Sequence, residues 1–495
     1  AIRASDGFVY LTARAANDLL ASTINHSGII EATSISSIGG RVVLEGDAIH
    51  LEGTASIDAP GEQGGGDVLI GGDWQGGSNA ERRVFDDPAM LREATTVNMG
   101  SGVTIDASAT RDGNGGVVVL WSDIRNVNSQ TSVHGAIDAR AGLNGGDGGF
   151  IETSGASLAL SGIQVSTESS AGVTGEWLLD PTDLELGAGG DVEVSTLETN
   201  LQTSDVRVDT SSGNIYVTSN IVSTSANNLT IDSGGAMYVR ANIQAGSIDL
   251  LAENEVLIDT TSVTLTANNA NGDVSITASG INLAGGLGLA IDQSGDSVLS
   301  DVISGAGTLT KTGSGTLALT AGNSFTGGTV LSAGSLGLYH NSAGGSGFID
   351  LADSTTLMIG RSVTEIANDI SLSGSATIDL DTSVDYLIVG GGGGGGGGQA
   401  SEHGGGGGGG GGVLVGSTSL TGSNTVVVGA GGSGGDLRGG NSGEPGDEGS
   451  NSTFAGLTAF GGGRGASYFN GGATTKGASG GAGAVSATAA YTQGA

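Results

Sequence analysis

The sequence predicts an all-β protein: a parallel β-helix, in which short strands wind into a solenoid, followed by a glycine-rich domain. The first observation is a unit at Gly39–Asp67, where glycine pairs frame short aliphatic strands with a period of two. Similar units open at Gly65, Gly115 and Gly148. Strands this short cannot bury an apolar face alone, and recurrence at intervals of about 25 to 50 residues indicates a solenoid.

The composition is the second observation. Glycine accounts for 98 of the 495 residues, whereas proline accounts for 4 and aromatic residues for 4%. Apolar residues still make up 37% of the chain, which is too many for simple disorder. Because Leu, Ile and Val occur in short alternating runs with almost no helical period, the chain is predicted to be nearly all strand. The best helical candidate is Asp87–Ala94, with Pro88 at its first helical position.

The net charge of the chain is −35, from 16 basic and 51 acidic residues. Nucleic acid and anionic membranes are therefore poor partners, because both require a cationic surface. The absence of cysteine excludes disulfides and thiolate metal sites. No apolar run approaches a membrane span, so no membrane insertion is expected. The chain begins in mid-pattern at Ala1, without an initiator Met or a signal peptide, and is expected to be a mature or excised part of a longer protein.

A first region is predicted over residues 1–186. It carries the glycine-opened units, and Phe8–Leu11 and Ile29–Ala32 are predicted to form earlier rungs of the solenoid. The polar and poorly periodic stretch Asp73–Thr96 is predicted to be a loop that extends from the solenoid. Gly175–Leu186 ends the region.

Five sequences follow one another in this first region: GGRVVLEGD, GGGDVLIGGDWQGG, GGVVVLWSD, GGDGGFIETSG and GEWLLDPTDLEL. Their order resembles the passenger region of filamentous-haemagglutinin-like exoproteins, which are large bacterial surface proteins exported by two-partner secretion. The segment WLLDPTDL is the most specific part of this resemblance. The resemblance implies a right-handed parallel β-helix, export across an outer membrane and a role at the cell surface.

A second region is predicted over residues 187–384, where short strands alternate with Asn, Ser, Asp, Gly and Thr. Its predicted strands are Ile215–Val217, Leu229–Ile231, Met237–Val239, Ile248–Leu250, Val256–Ile258, Val263–Leu265, Val274–Ile276 and Ile281–Leu283. Each rung would hydrogen-bond to its neighbours in a parallel sheet, with inward aliphatic side chains stacked in rows. The stretch Ile303–Leu338 closely resembles the autotransporter-associated β-strand repeat, which implies the same fold and the same class of secreted passenger.

The third region, residues 385–495, contains two runs of nine glycines, Gly390–Gly398 and Gly404–Gly412. Leu387–Val389 and Val413–Val415 frame these runs and resemble the base of a hairpin. One interpretation is a disordered glycine tail. The interpretation that we favour is a stack of polyglycine II helices, whose backbones hydrogen-bond sideways because no Cβ intervenes. The pattern resembles glycine-rich domains of phage tail-tip adhesins and of some bacterial surface proteins.

The chemistry-bearing residues form no recognisable catalytic or metal-binding pattern, and we assign no catalytic residue, cofactor-binding residue or metal ligand. Acidic residues are spread singly, and turn solvation is predicted for Asp47, Asp58, Asp67, Asp106, Asp138, Asp180, Asp232 and Asp259. The densest charge group, Arg82–Arg83 with Asp86–Asp87, is predicted to be a solvated loop. Gly431–Asp436 matches the start of a calcium-binding nonapeptide without a tandem copy. We therefore expect no cofactor and at most weak calcium binding.

Two sets of residues are candidates for contact or assembly. Trp74 follows GGD and precedes QGG, so it is predicted to be exposed and, with Tyr468 and Phe469, to offer a platform for sugar rings. Trp121 ends an apolar strand and is predicted to lie in a rung core. The assembly candidates are the ends of the two glycine runs: Gly390, Gly398, Gly404 and Gly412.

The sequence therefore predicts a secreted bacterial exoprotein on the outer surface, with a structural and adhesive role as a stiff rod or fibre and no enzymatic activity. Its expected partners are other copies of itself and cell-surface or matrix glycans. One alternative is a receptor-binding tip that presents Asp436–Gly449 and Tyr468–Asn470. Another alternative is a polysaccharide-active β-helix enzyme that depends on Asp86 and Asp87.

Overall fold

The computed structural model describes residues 1–4, 7–13, 22–32, 39–87, 91–380, 383–398, 404–420, 424–436 and 443–467. The chain divides into two compact units, Ala1–Asp379 and Leu380–Ala495. The predicted division of the first unit near residue 186 stays a prediction.

The first unit is built from short strands. Its first strands are β1 Ile2–Ala4, β2 Phe8–Thr12, β3 Thr23–His26, β4 Ile29–Ala32, β5 Arg41–Glu45, β6 Ala48–Leu51, β7 Ser56–Asp58, β8 Asp67–Ile70, β9 Thr96–Met99, β10 Thr104–Asp106, β11 Val117–Trp121, β12 Gln130–Val133, β13 Ala136–Asp138, β14 Phe150–Ser154, β15 Ser157–Ala159, β16 Gln164–Ser166 and β17 Glu176–Asp180. The next are β18 Leu184–Leu186, β19 Asp205–Thr210, β20 Ile215–Val217, β21 Ile221–Val222, β22 Leu229–Ser233, β23 Met237–Val239, β24 Ile243–Ala245, β25 Ile248–Ala252, β26 Glu255–Ile258, β27 Val263–Ala267, β28 Val274–Thr277 and β29 Gly280–Leu283. The last are β30 Leu289–Gln293, β31 Ser297–Leu299, β32 Ile303–Gly305, β33 Leu309–Thr312, β34 Thr316–Leu319, β35 Thr329–Leu331, β36 Ser335–Leu338, β37 Ile349–Leu351, β38 Thr356–Ile359, β39 Ile370–Leu372 and β40 Thr377–Leu380.

These strands form long parallel sheets in which each strand pairs with its counterpart one rung earlier and one rung later. Sheet 1 has the order β1-β4-β7-β10-β13-β16, sheet 3 the order β15-β12-β9-β6-β3, and sheet 2 contains ten strands from β2 to β28. Sheet 4 runs from β18 to β32, sheet 5 from β21 to β39, and sheet 6 from β31 to β40. The prediction of a parallel β-helix is confirmed, and the eight strands predicted in the second region are all present.

The interior of the solenoid is a stack of aliphatic side chains held in register. In sheet 1, Ile57 pairs with Ile105, Ile105 with Ile137, and Ile137 with Val165. All four side chains are buried, whereas their strand neighbours point outward. Each buried aliphatic side chain stabilises the fold by about 1.5–3 kcal/mol. The strict period of two therefore determines which face of each short strand lies inside.

The recurring glycine pairs lie at the corner between sheets 1 and 2. A Cβ added to Gly66 would overlap the carbonyl oxygen of Gly40 one rung earlier, and a Cβ added to Gly116 would overlap that of Gly66. The Gly116 amide also donates to the Ala107 carbonyl at 2.8 Å. Backbones of successive rungs approach so closely at this corner that a side chain has no room.

The helix expected at Asp87–Ala94 is not present in the described part of that segment, residues 87 and 91–94, and Pro88 lies outside the described residues. Two short 3-10 turns occur at Trp74–Gly77 and Ala284–Gly286. The helix of the first unit that the structure describes is α1, Val194–Asn200.

Helix α1 lies against the edge of sheet 1. Leu197 and Leu201 are fully buried, and their spacing places them on one helical face. The Asn200 Oδ1 accepts from the Val165 amide at 2.6 Å, and Thr203 Oγ1 donates to the Val165 carbonyl at 2.6 Å. The helical segment therefore satisfies the polar backbone of β16, where the sheet would otherwise have an open edge.

The second unit contains an antiparallel hairpin of β41 Ser383–Val389 and β42 Val413–Ser419, in which Val389 pairs with Val413. The predicted hairpin base is confirmed. Three further short strands form an antiparallel sheet: β43 Val426–Val427, β44 Ser452–Phe454 and β45 Leu457–Ala459. The two glycine runs connect the strands of the hairpin.

Candidate functional site

The segment between β8 and β9 folds back onto the outer face of sheet 2 and builds a second apolar cluster there. The buried members of this cluster are Val43, Leu69, Trp74, Leu91, Val119, Trp121 and Leu178. The expectation that Trp74 is exposed was wrong, since its exposed fraction is 1%. Trp121 is buried as predicted, but it lies on the outside of the rung, beneath this segment. We refer to residues 71–95 as the insertion.

Polar contacts hold the insertion in place. The Asp73 carboxylate accepts from the amides of Trp74 and Val84 at 2.8 Å and from that of Phe85 at 2.9 Å. The Arg82 guanidinium lies 4.0 Å from the centroid of the Phe150 ring and pairs with Glu176 at 2.9 Å. Arg82 is therefore a structural contact of the insertion and not part of a freely solvated loop.

Two carboxyl groups are buried beside the insertion. Glu152 Oε2 accepts from the Gln75 amide at 2.8 Å, and burial, together with the charges of Asp180 and Asp73, raises the pKa of Glu152 well above its ordinary value. Burial first, and then the charge of Asp209, raise the pKa of Asp180 to about 7. The prediction that Asp180 is a solvated turn residue was wrong, because it ends a buried strand and is 4% exposed.

The described part of the glycine-rich unit contains five extended segments that lie side by side: segment 1, residues 390–398; segment 2, 404–412; segment 3, 429–436; segment 4, 443–450; and segment 5, 461–467. Segment 1 donates to segment 2 through the amides of Gly390, Gly393 and Gly396, each at 2.8 Å. It donates to segment 4 through the amides of Gly391, Gly394 and Gly397 at 2.7–2.9 Å. The hydrogen bonds therefore recur every three residues, in two directions around the segment.

Segment 1 also accepts hydrogen bonds from two further segments. The amides of Gly432 and Gly435 in segment 3 donate to Gly392 and Gly395, each at 2.8 Å. The amides of Gly462 and Gly465 in segment 5 donate to Gly391 and Gly394 at 2.7 and 2.8 Å. Segment 1 is thus the centre of the bundle, with four neighbouring segments around it. A Cβ at Gly390 would overlap the Phe460 carbonyl, which explains why glycine is needed in this segment.

The four predicted assembly residues have different environments. Gly390 and Gly412 are buried, and their hydrogen bond joins the bases of the two runs at 2.8 Å. Gly398 is half-buried, whereas Gly404 is exposed. Segment 2 presents one outward row, Gly404, Gly407 and Gly410, in which an added Cβ would meet no atom of the described residues within 4 Å. Tyr468 and Phe469 lie outside the described residues.

The calcium-like sequence Gly431–Asp436 lies in segment 3, where Gly432 and Gly435 use their amides in bundle hydrogen bonds. Within the described residues, no group of three or more His, Cys, Asp or Glu side chains could hold a metal ion. Asp86 and Asp87, the residues of the enzyme alternative, are both exposed.

Two families of known proteins match parts of the chain. The passenger-associated-transport-repeat matches residues 309–338, which span strands β33 to β36, and a glycine-rich domain matches residues 370–495. No curated protein matches the chain. The repeat, found on a parallel β-helix, indicates a secreted surface passenger protein of the autotransporter class. In the part of the chain that the structure describes, no helix is long and apolar enough to span a membrane.

Proposed function

We propose that this protein is a non-catalytic exoprotein of the bacterial outer surface, with a structural and adhesive role. The first unit acts as a stiff rod that extends from the cell surface, and the glycine-rich unit binds other copies of the protein. The observation that carries this proposal is the arrangement of backbone hydrogen bonds, which run from rung to rung in the first unit and from segment to segment in the second. Weak contacts repeated along such a molecule add up to strong attachment.

The finer assignments belong to this proposal. The five ordered motifs of residues 1–186 support a filamentous-haemagglutinin-like passenger. The three-residue recurrence of lateral hydrogen bonds supports a polyglycine II bundle, since polyglycine II has three residues per turn and no internal hydrogen bonds. Cell-surface or matrix glycans are the proposed external partners. No cofactor is needed for either role.

The outward row of segment 2 is the proposed contact between copies. It carries no side chains, whereas segments 3 and 4 present Asp436, Glu444 and Asp447. In a chain of net charge −35, these carboxylates would repel a neighbouring copy, and the row Gly404, Gly407, Gly410 is free of them. The antiparallel pair of segments 1 and 2 shows how a second glycine run can bind.

The strength of one such contact is limited. The pair of segments 1 and 2 is joined by three hydrogen bonds from segment 1, each with a net contribution of about 0.5–1.5 kcal/mol. Association costs roughly 4–15 kcal/mol in lost freedom, so a single pair of glycine runs would not hold two molecules together in dilute solution. Association is therefore expected where many copies are concentrated at a surface or along a fibre.

The test is the triple variant Gly404→Glu, Gly407→Glu, Gly410→Glu in the full chain. Its side chains have room in the folded bundle, so the circular dichroism spectrum and melting temperature should be unchanged. Filaments or lateral clusters in electron micrographs, and bacterial clumping mediated by the displayed protein, should be lost.

The matched control is Ala430→Glu with Ser433→Glu on segment 3, where both residues are already exposed beside Asp436. This control should associate like the unmodified protein. Association that persists in the segment 2 variant, or that is lost equally in both variants, contradicts the proposal. Deleting Gly390–Gly412 is a less specific test, because it also removes the central segment of the bundle.

A further inference from the structure

A pocket of about 670 Å³ lies where the insertion meets the loop after β11. The described residues that line it include Gly76, Arg83, Arg92, Glu93, Asp123 and Arg125. Its volume falls within the range of about 300–1,000 Å³ that is usual for small-molecule sites. This pocket was not predicted from the sequence, because its residues come from three separate stretches of the chain.

Two carboxyl groups meet in this pocket. The Glu93 and Asp123 side chains hydrogen-bond to each other, and Arg125 bridges them, with its Nη2 at 2.6 Å from Glu93 and its Nε at 2.9 Å from Asp123. Burial first, and then the hydrogen bond and charge of Asp123, raise the pKa of Glu93, although Arg125 opposes this. The oxygens of these carboxyl groups can accept hydrogen bonds from ligand hydroxyls.

The other two arginines differ in their partners. The Arg92 guanidinium is already engaged by Asp47 at 2.7 Å. Arg83 lines the pocket, and among the described residues its guanidinium forms no ion pair or side-chain hydrogen bond. Arg83 therefore offers a planar, cationic fork that can bind a carboxylate through two parallel hydrogen bonds.

We infer that this pocket binds an acidic oligosaccharide that contains uronic acid. Arg83 holds the sugar carboxylate, and the Glu93–Asp123 pair bonds to neighbouring hydroxyls. A carboxylate carries a single negative charge, which one guanidinium fork matches, whereas a phosphate group carries about −1.5 to −2 at pH 7. This inference rests on the adhesive role proposed above and assigns a ligand class to it.

The test uses the full chain and trigalacturonate as the probe, with binding followed by isothermal titration calorimetry. Saturable binding at one site per chain is expected, and Arg83→Gln should weaken it by about tenfold or more. The methyl-esterified trimer, which lacks the carboxylates, should bind as weakly to the unmodified protein as the acid does to the variant.

The matched control is Arg140→Gln, whose guanidinium pairs with Asp138 outside the pocket. This control should bind trigalacturonate like the unmodified protein. Equal binding by Arg83→Gln and Arg140→Gln, equal affinity for the ester, or no binding by the unmodified protein would overturn the inference. Adhesion that survives in Arg83→Gln would leave the proposed function standing without this pocket. If the protein binds trigalacturonate but neither adheres nor associates, the pocket inference stands and the proposed adhesive function fails.

Discussion

At the residue scale, the absence of a side chain matters as much as its presence. Gly66 and Gly116 recur in the sequence because a Cβ at either position would occupy the carbonyl oxygen of the preceding rung. The glycine pairs were recognised in the sequence as markers of a repeated unit, which is correct. The physical reason, close approach of stacked backbones, requires contacts between residues about 25 to 50 positions apart, which no local pattern contains.

Trp74 shows the limit of residue-scale prediction from sequence. Its neighbours are Gly, Asp and Gln, so local polarity predicted exposure. The structure buries it because Phe150, from a strand two rungs later, packs against its ring at a centroid distance of 6.1 Å. The pocket beside Arg83 was missed for a similar reason, since its lining combines the insertion with the loop after β11 on the next rung.

The buried carboxyl group of Asp180 predicts an unusual dependence of stability on pH. Its pKa of about 7 in the fold exceeds the ordinary 3.8, so the folded state binds the proton more tightly than the unfolded state does. This contribution to stability is fully present below about pH 3.8 and is lost as the pH rises through 7. Asp180→Asn should therefore raise the free energy of unfolding at pH 8, by a few kcal/mol as an order of magnitude, and the gain should vanish near pH 4.

Asp47→Asn is the control of opposite sign. Burial acts to raise the pKa of Asp47, but hydrogen bonds from Ser22 and the charge of Arg92 outweigh it and lower that pKa. The Asp47 carboxylate thus stabilises the fold at neutral pH, and its loss should destabilise the protein there and matter less in acid. Urea unfolding between pH 4 and 8 measures how the free energy of unfolding of each variant changes with pH. The same change with pH in both variants would contradict the opposite pKa shifts of Asp180 and Asp47.

At the element scale, the strands were predictable and the irregular elements were not. The short strands carry a period of two in every rung, so β20, β23 and β29 match their predicted bounds or lie within one residue of them. Helix α1 has a short hydrophobic signal of Val194, Leu197 and the following Leu201, and its Ser, Thr and Glu residues are ordinary for a turn. The position of α1 depends on β16 at the edge of sheet 1, and the local sequence of the helix does not reveal that contact.

The insertion is a separable element, because its own apolar cluster lies outside the solenoid interior. Trp74→Ala should remove roughly 3–5 kcal/mol from this cluster and release the insertion. Hydrogen exchange should then accelerate at the amides of Val84 and Phe85, which donate to Asp73, and should stay slow at Ile231 in β22. Trp74→Phe keeps a ring in the cluster and should retain most of the protection. Equal acceleration at Ile231 would show that the insertion does not open separately.

At the scale of the whole molecule, both units repeat backbone hydrogen bonds at regular intervals, but the interval differs between them. In the first unit, parallel strands hydrogen-bond rung to rung and the thin interior contains aliphatic side chains. In the second, glycine segments bond laterally every three residues, and the absence of Cβ atoms allows this. Both arrangements repeat the same backbone hydrogen bonds from one rung or segment to the next.

The fold class and the passenger repeat could be predicted from the sequence because both depend on local, repeated patterns. Residues 309–338 carry that repeat in one continuous stretch. The external partner could not be predicted in the same way. The candidate pocket depends on Arg83, Glu93 and Asp123, which the insertion and the loop after β11 bring together in the fold.

The first unit stacks ten strands in sheet 2 and five more in sheet 6, so at about 4.8 Å per strand it extends for roughly 70 Å. If the rungs of the first unit stack regularly, the distance between equivalent residues must grow by the same amount from each rung to the next. Thr264 lies in one column of sheet 5 with Val330, Asp350 and Ser371, which follow three, four and five strands later. The chain has no cysteine, so pairs of introduced cysteines can carry spin labels without a background.

Double electron–electron resonance on Thr264 paired with each of the three positions measures this spacing. Stacked rungs predict backbone separations of about 14, 19 and 24 Å, a steady increase of about 4.8 Å per rung. Separations that fail to increase in this order, as antiparallel sheets would give, would contradict the parallel β-helix on which the whole account depends.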